Sequence, residues 1–193
     1  MSSVRIPSDG HIEVITGSMF SGKTEELIRR ITRAELAGQK VQVYKPEIDD
    51  RYSETEIGSH DGRSWEAQVI ASDDMESLKE AEADVIAVDE ANFFEENLVE
   101  ASDELADSGK RVIISGIDQN FRGEPFRPLP ELMAAAEYVE KLRAICARCG
   151  KPATRNQRLI DGEPAHVDDP EVMVGAKESY EARCRDCHEL RTD

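Results

Sequence analysis

Gly17-Ser-Met-Phe-Ser-Gly-Lys-Thr24 stands directly behind the apolar run His11-Ile-Glu-Val-Ile-Thr16 and ahead of a helical pattern. The octapeptide fits G-x-x-x-x-G-K-[ST], and each fixed position has a physical reason. Phosphate oxygens carry dense negative charge, and only a glycine-permitted path can wrap closely spaced backbone N–H groups around them. Lys23 is placed to reach the outer phosphates, and the Thr24 hydroxyl to ligate Mg²⁺. From Thr24 to Leu36 apolar residues fall at Leu27, Ile28, Ile31, Ala34 and Leu36, with Gly38 as a stop signal. Strand, loop and helix are all legible, as the motif requires. The loop residues Gly17, Ser18, Met19, Phe20, Ser21, Gly22, Lys23 and Thr24 are therefore assigned to ATP.

Further apolar runs recur with helical patterns between them. Val41–Tyr44, Gln68–Ala71, Asp84–Val88 and Arg111–Ser115 read as strands, and Asp73–Ala83 and Glu95–Ser108 as helices. Ile86-Ala-Val88 and Val112-Ile-Ile114 are continuously apolar, as interior strands covered on both faces are. This alternation predicts an α/β fold: a P-loop NTPase core with a mainly parallel sheet flanked by helices. After about Ala144 the chain becomes turn-rich and carries all four cysteines. Thr154–Ile160 followed by Asp161-Gly162 predicts a hairpin. The expected division is an ATP-binding unit over 1–143 and a small zinc-binding unit over 144–193.

The chain has 193 residues, enough for a full core, and a net charge of −17 from 41 acidic and 24 basic residues. So acidic a surface repels nucleic-acid phosphates and argues against a polynucleotide partner. No apolar run is long enough to span a membrane, and Met1-Ser-Ser-Val-Arg-Ile-Pro7 lacks a signal peptide's apolar stretch. The expected location is the cytoplasm.

Val85-Ile-Ala-Val-Asp89-Glu90 is an apolar strand ending in two carboxylates. Asp89 fits the acid that holds Mg²⁺ beside a phosphate loop. If the strand continues, Glu90 points the other way and can take a proton from an attacking hydroxyl on a second substrate. Cys146-Ala-Arg-Cys149 and Cys184-Arg-Asp-Cys187 form two C-x-x-C pairs. Four thiolates suit a tetrahedral structural Zn²⁺, and a cytosolic setting disfavours the alternative of disulfides. His188 is adjacent and could replace a ligand, although a surface position suits it better. Met19, Phe20, Phe93, Phe94, Phe121 and Phe126 suit plain core packing. Yet Phe121–Phe126 lies just beyond a buried strand, where an apolar slot for a planar base is expected, and Tyr180 could close it.

Taken in order, these blocks resemble the type II thymidine kinases, a tetrameric, zinc-containing family, over nearly the whole chain. The resemblance rests on the phosphate loop, Lys45-Pro with Asp49-Asp-Arg51-Tyr52, Ser59-His-Asp-Gly62, Asp89-Glu-Ala-Asn-Phe-Phe94, Gly116–Phe126, Val174–Tyr180 and both cysteine pairs. It implies transfer of the ATP γ-phosphoryl to the 5′-hydroxyl of thymidine or deoxyuridine, by a homotetramer. Glu90 would be the general base, Thr24 and Asp89 would serve Mg²⁺, Lys23 would hold the phosphates, and Arg51 would stabilise the charge on the transferred group. Ala91 and Asn92 join Asp89 and Glu90 on the nucleotide side. Met19, Asp49, Phe93, Ile117, Phe121, Phe126 and Tyr180 would contact the nucleoside. A lasso loop carrying Glu171, Val172, Met173, Val174 and Gly175 would read the base largely through its backbone. Asn92 stands where this family usually has Gln, so any contact made by the longer side chain must be rebuilt.

Two other classes compete. A P-loop ATPase driving a conformational change would use water as the acceptor. A zinc-ribbon nucleic-acid binder would need clustered cations, but Glu178, Glu181, Asp186 and Glu189 offset Arg143, Arg148, Arg183 and Arg185. The acidic excess, with arginine outnumbering lysine, further suggests a surface tuned to high salt. Thermal unfolding and activity are expected to improve from dilute buffer to molar KCl, and equal behaviour in both would remove that reading.

Overall fold

The computed structural model describes residues 10–47, 56–58, 64–171 and 178–192. In chain order the first part comprises β1 (His11–Gly17), α1 (Lys23–Leu36), β2 (Val41–Pro46), β3 (Glu56–Gly58), β4 (Ser64–Glu66), β5 (Gln68–Ile70) and α2 (Met75–Lys79). Then come β6 (Val85–Val88), a 3₁₀ turn over Ala91–Phe93, α3 (Asn97–Asp107), β7 (Arg111–Gly116), α4 (Leu129–Ala135) and β8 (Tyr138–Leu142). Six strands form one sheet in the order β5-β2-β6-β7-β1-β8, and every pairing in it is parallel. β3 and β4 pair antiparallel apart from it.

Period-two alternation explains the continuously apolar strands. Ile12, Val14, Ile86, Val88, Val112 and Ile114 face one core with Leu98, Ala101 and Leu105 of α3 and Leu129 and Leu132 of α4. Ile15, Val43, Val85, Ala87 and Ile113 face the other core, packed on Leu27, Ile28, Ile31 and Ala34 of α1. Neighbouring residues in one run thus serve opposite faces. Leu36, the last apolar position of the α1 pattern, is 83% exposed and belongs to neither core.

Two expected elements are shorter than their patterns. The 73–83 segment contributes only the five-residue α2, started by Asp74, whose side chain accepts from the Ser77 N–H at 3.1 Å. The expected strand at 68–71 becomes β5, a three-residue edge. α4 and β8 were not foreseen. β8 is exposed along most of its length, so it lacks an apolar signature and is held by its parallel pairing with β1.

The remaining strands, β9 (Ala144–Ile145), β10 (Pro152–Ala153), β11 (Arg155–Ile160), β12 (Glu163–Pro164) and β13 (Glu178–Arg183), form a β9–β10 pair and a β12-β11-β13 sheet. The expected hairpin is β11–β12. Asp161 and Gly162, at φ 52° and 86°, make the left-handed pair that a two-residue turn needs.

A charged seam ties α1 to the sheet. Glu13 of β1 is 7% exposed and accepts from Arg30 of α1 at 2.7 Å, Arg111 of β7 at 2.5 Å and His11 at 3.0 Å. Burial alone would push its carboxyl up, but the bonds from Arg111, His11 and Arg30 leave it below the usual range. Glu26 of α1 is held at about 2, chiefly by Arg29 and then by Arg30. Both groups therefore bind fewer protons folded than unfolded. Their contribution is complete above the ordinary carboxylate value of 4.5 and is lost as pH falls from there towards 2. Glu26→Gln should flatten this acid limb by about 1–2 kcal/mol, after allowance for solvent screening, in urea melts from pH 6 to 3. An unchanged acid limb would mean that the seam contributes nothing.

Candidate active site

Loop geometry starts at Gly17. Its φ is 142°, and a Cβ there would come within 2.5 Å of the Leu142 carbonyl oxygen. No side chain fits, so the chain can turn off β1 only at glycine. Gly22, at φ 88°, is the left-handed residue that starts α1, while Phe20 at φ 64° holds the same region without being glycine. Such backbone costs about 1 kcal/mol or more and persists only where its surroundings impose it. Those surroundings include the C-terminal strands. The Met19 N–H donates to Asn156 Oδ1 at 2.7 Å, and the Ser18 hydroxyl to the Ala153 carbonyl at 3.4 Å. Across the loop, Lys23 Nζ donates to the Ser18 carbonyl at 3.0 Å.

Asp89 follows the last residue of β6 and is 5% exposed. Its Oδ2 accepts from the Thr24 hydroxyl at 3.2 Å, and its Oδ1 from the Ser115 hydroxyl at 2.6 Å and the Glu90 N–H at 3.0 Å. The acid and the loop threonine are therefore brought together, with Ser115 of β7 supporting the acid from the intervening strand. Glu90 has φ 51° and ψ 41°, so the strand does not continue through it. A left-handed bend therefore stands at Glu90 where strand alternation was expected. Ala91 is fully buried. Asn92 is 4% exposed, and its Oδ1 accepts the Ile117 N–H at 3.0 Å. The shorter side chain thus has an internal duty, closing the end of β7.

Beyond β7 the aromatic residues gather. Phe93 and Phe126 meet edge to face, with centroids 6.4 Å apart. Phe121 is 2% exposed and carries two guanidiniums, Arg158 at 4.0 Å and Arg122 at 4.5 Å from its centroid. Ile117 is buried, whereas Met19, Phe93, Phe126 and Tyr180 are half-buried. Arg158 Nε donates to the Tyr180 hydroxyl at 2.8 Å, and its other nitrogens to the carbonyls of Pro170 and Glu171. Arg122 donates to Val167 and Asp169, and Asn120 Nδ2 to Glu171 Oε1 at 2.6 Å. Asp49, Arg51, Val172, Met173, Val174 and Gly175 lie outside the described residues.

Sequence reasoning missed Ser115, Asn120, Asn156 and Arg158. One signal was available: Arg155-Asn-Gln-Arg158 is a strand of four consecutive polar residues, and all four are buried. A polar run inside a packed strand needs partners on both faces.

The sulfurs of Cys146, Cys149, Cys184 and Cys187 all lie within 4.8 Å of one another, with Cys149 and Cys184 at 3.6 Å. Tetrahedral zinc–thiolate geometry asks for roughly 3.8 Å between sulfurs, so this set could hold a zinc ion. Burial would push the Cys146 thiol up, but backbone groups of Cys184, Arg148 and Cys149 bring it down to about 6. Cys187 is pushed up to about 12, first by Cys149 and then by Cys184. A cation is what lets such crowded thiols all ionise. His188 is neither a ligand of this cluster nor a surface residue: it is half-buried and its Nε2 meets the Phe121 carbonyl at 2.8 Å.

A parallel sheet, a glycine-bounded phosphate loop between its strand and helix, and a buried acid bonded to the loop threonine define a P-loop nucleotide-binding protein. The family model described as thymidine kinase matches residues 10–188. A thymidine kinase of Halobacterium salinarum (strain ATCC 29341) is 61% identical over 193 residues, covering 97% of this chain and 98% of that protein. One from Haloquadratum walsbyi is 53% identical, covering 96% and 98%. The chain belongs to the thymidine kinase family, and it is an enzyme. Among solved structures, the Legionella pneumophila ATPase DotB overlaps at a TM-score of 0.41 with 18% identity, over 66% of this chain and 34% of that one. That likeness is too loose to bear on function. No helix among the described residues is long and apolar enough to cross a membrane.

Purified protein, freed of loosely bound metal by gel filtration, is expected to carry about one zinc per chain by elemental analysis. Cys184→Ser should release the metal and lower the unfolding temperature by roughly 5 °C or more. Four freely reactive thiols in metal-replete protein would exclude the site.

Proposed function

We propose that this enzyme transfers the γ-phosphoryl group of ATP to the 5′-hydroxyl of thymidine or deoxyuridine, giving the nucleoside monophosphate and ADP. The observation that carries the reading is the junction of β6 with the loop. Asp89 is bonded to Thr24 on the phosphate side, and the left-handed Glu90 leaves that line immediately after it. Consecutive carboxylates with divergent settings suit a metal ligand next to a base. Membership of the thymidine kinase family supports the choice of acceptor.

In this scheme the amides of 20–24 and Lys23 surround the β- and γ-phosphates, and Lys23 exchanges the Ser18 carbonyl for a phosphate oxygen. Thr24 and Asp89 would hold Mg²⁺, directly or through water, and their oxygens match the preference of a hard cation. When bound, Mg²⁺ neutralises charge on the phosphates. Glu90 accepts the 5′-hydroxyl proton as the nucleoside oxygen bonds to γ-phosphorus and the bond to the bridging oxygen breaks. Arg51 is assigned to the charge on the transferred group from the family resemblance. Met19, Phe93, Phe126 and Tyr180 supply the apolar walls for the base, with Ile117 and Phe121 behind them. Asp49 and the stretch from Glu171 to Gly175 complete the nucleoside side. Zinc held by four thiolates keeps no open position and takes no part in the chemistry. The division into units 1–143 and 144–193, assembly as a homotetramer and a cytoplasmic location belong to the same reading.

Incubation with ATP, Mg²⁺ and a panel of nucleosides should give monophosphate from thymidine and deoxyuridine. Phosphate release without nucleoside, and no nucleotide product, would overturn the reading in favour of an ATPase. Glu90→Gln should lower kcat by about 10²–10⁴-fold while ATP still binds. A parallel loss of ATP affinity would make Glu90 structural.

A further inference from the structure

Asn156 is 3% exposed and lies on β11, a strand that pairs only with β12 and β13 among the described residues. Its side chain nevertheless reaches into the nucleotide-binding part of the molecule. Oδ1 accepts the Met19 N–H, the third residue of the phosphate loop, at 2.7 Å, and Nδ2 donates to the Gln119 carbonyl at 2.8 Å. One amide group thus joins the loop after β1 to the segment after β7. Gln119 is fixed in turn by Arg155 of the same strand, whose Nη1 donates to Gln119 Oε1 at 2.8 Å and to the Gly123 carbonyl at 2.7 Å.

We propose that Asn156 is a positioning residue for ATP binding, which sets the phosphate loop through the Met19 amide. The proposal rests on the nucleotide-binding reading above. Two features make the coupling strong. The next residue, Phe20, sits at φ 64°, a conformation a phenylalanine holds only when its neighbours impose it, and the Met19 N–H is the loop's anchor immediately before that bend. An asparagine amide can accept from one partner and donate to another in a single plane, which no apolar side chain of equal size can do. Removing it leaves the half-buried Met19 N–H and Gln119 carbonyl without this partner and frees the loop to leave its phosphate-ready path. The C-terminal strand β11 therefore acts on the donor half of the reaction as well as on the nucleoside side.

The test is direct titration of metal-replete protein with ATP·Mg²⁺ in the absence of nucleoside. Asn156→Leu, close in volume, should weaken ATP binding by about 5–30-fold, the range expected for losing a buried hydrogen-bond partner. Zinc content should stay unchanged. Amide hydrogen exchange should speed up at 18–20 but not in β1. If the leucine variant does not fold, Asn156→Ser, too short to bridge both partners, carries the same expectation. Unchanged ATP affinity, or unchanged exchange at 18–20, in a folded variant overturns the proposal. If wild-type protein fails to bind ATP·Mg²⁺, the nucleotide reading falls instead.

Discussion

Asp89 is a buried carboxylate with three donors, the hydroxyls of Thr24 and Ser115 and the amide of Glu90. A carboxylate at that depth is tolerated only with such compensation. The strand order makes it necessary. β7 lies between β6 and β1, so the acid at the end of β6 must reach past a neighbouring strand to meet the loop behind β1. Ser115 occupies the place where that reach would otherwise cross an apolar strand end. One of these bonds also fixes the backbone at Glu90, because its N–H is committed to Asp89 while its φ is left-handed.

Around this centre the two faces of the sheet have separate duties. The α1 face carries the loop, and its helix is held by apolar packing at Leu27, Ile28 and Ile31 and by the Glu13–Arg30 pair. The opposite face, with α3 and α4, sets the ends of β6 and β7 from which the aromatic residues depart. The loop itself is also bonded from β10 and β11, through Ala153 and Asn156.

What could be read in advance was whatever local chemistry dictates. Gly17, Gly22, Lys23 and Thr24 are required by the conformation and charge of a phosphate loop, and the paired cysteines by the needs of a soft cation, so both were legible one motif at a time. The apolar runs at 85–88 and 111–116 announced buried strands. β8 escaped because an edge strand needs no apolar face, and Tyr138-Val-Glu-Lys-Leu142 shows none that is sustained. Ser115, Asn120, Asn156 and Arg158 escaped for another reason: each acts on a backbone group or side chain distant in sequence, and no spacing encodes that partner. Glu90 was read on strand alternation, but β6 ends at Val88 and a left-handed bend stands at Glu90 instead.

The choice of arginine at 122 and 158 follows from the number of acceptors to be served. The segment 167–171 presents the carbonyls of Val167, Asp169, Pro170 and Glu171 towards Arg122 and Arg158. Carbonyls turned inward cost free energy unless each finds a donor. A lysine has one nitrogen on a flexible stem. The planar guanidinium of Arg158 serves two carbonyls and the Tyr180 hydroxyl at once while resting against Phe121. The ring keeps water from the cation, and the cation orders the segment above the ring. Phe121 is buried beneath this fork, and its ring meets the guanidinium rather than open space. The aromatic residues Phe121 and Tyr180 and the segment 167–171 are thus one packed unit, held by charge on an aromatic surface.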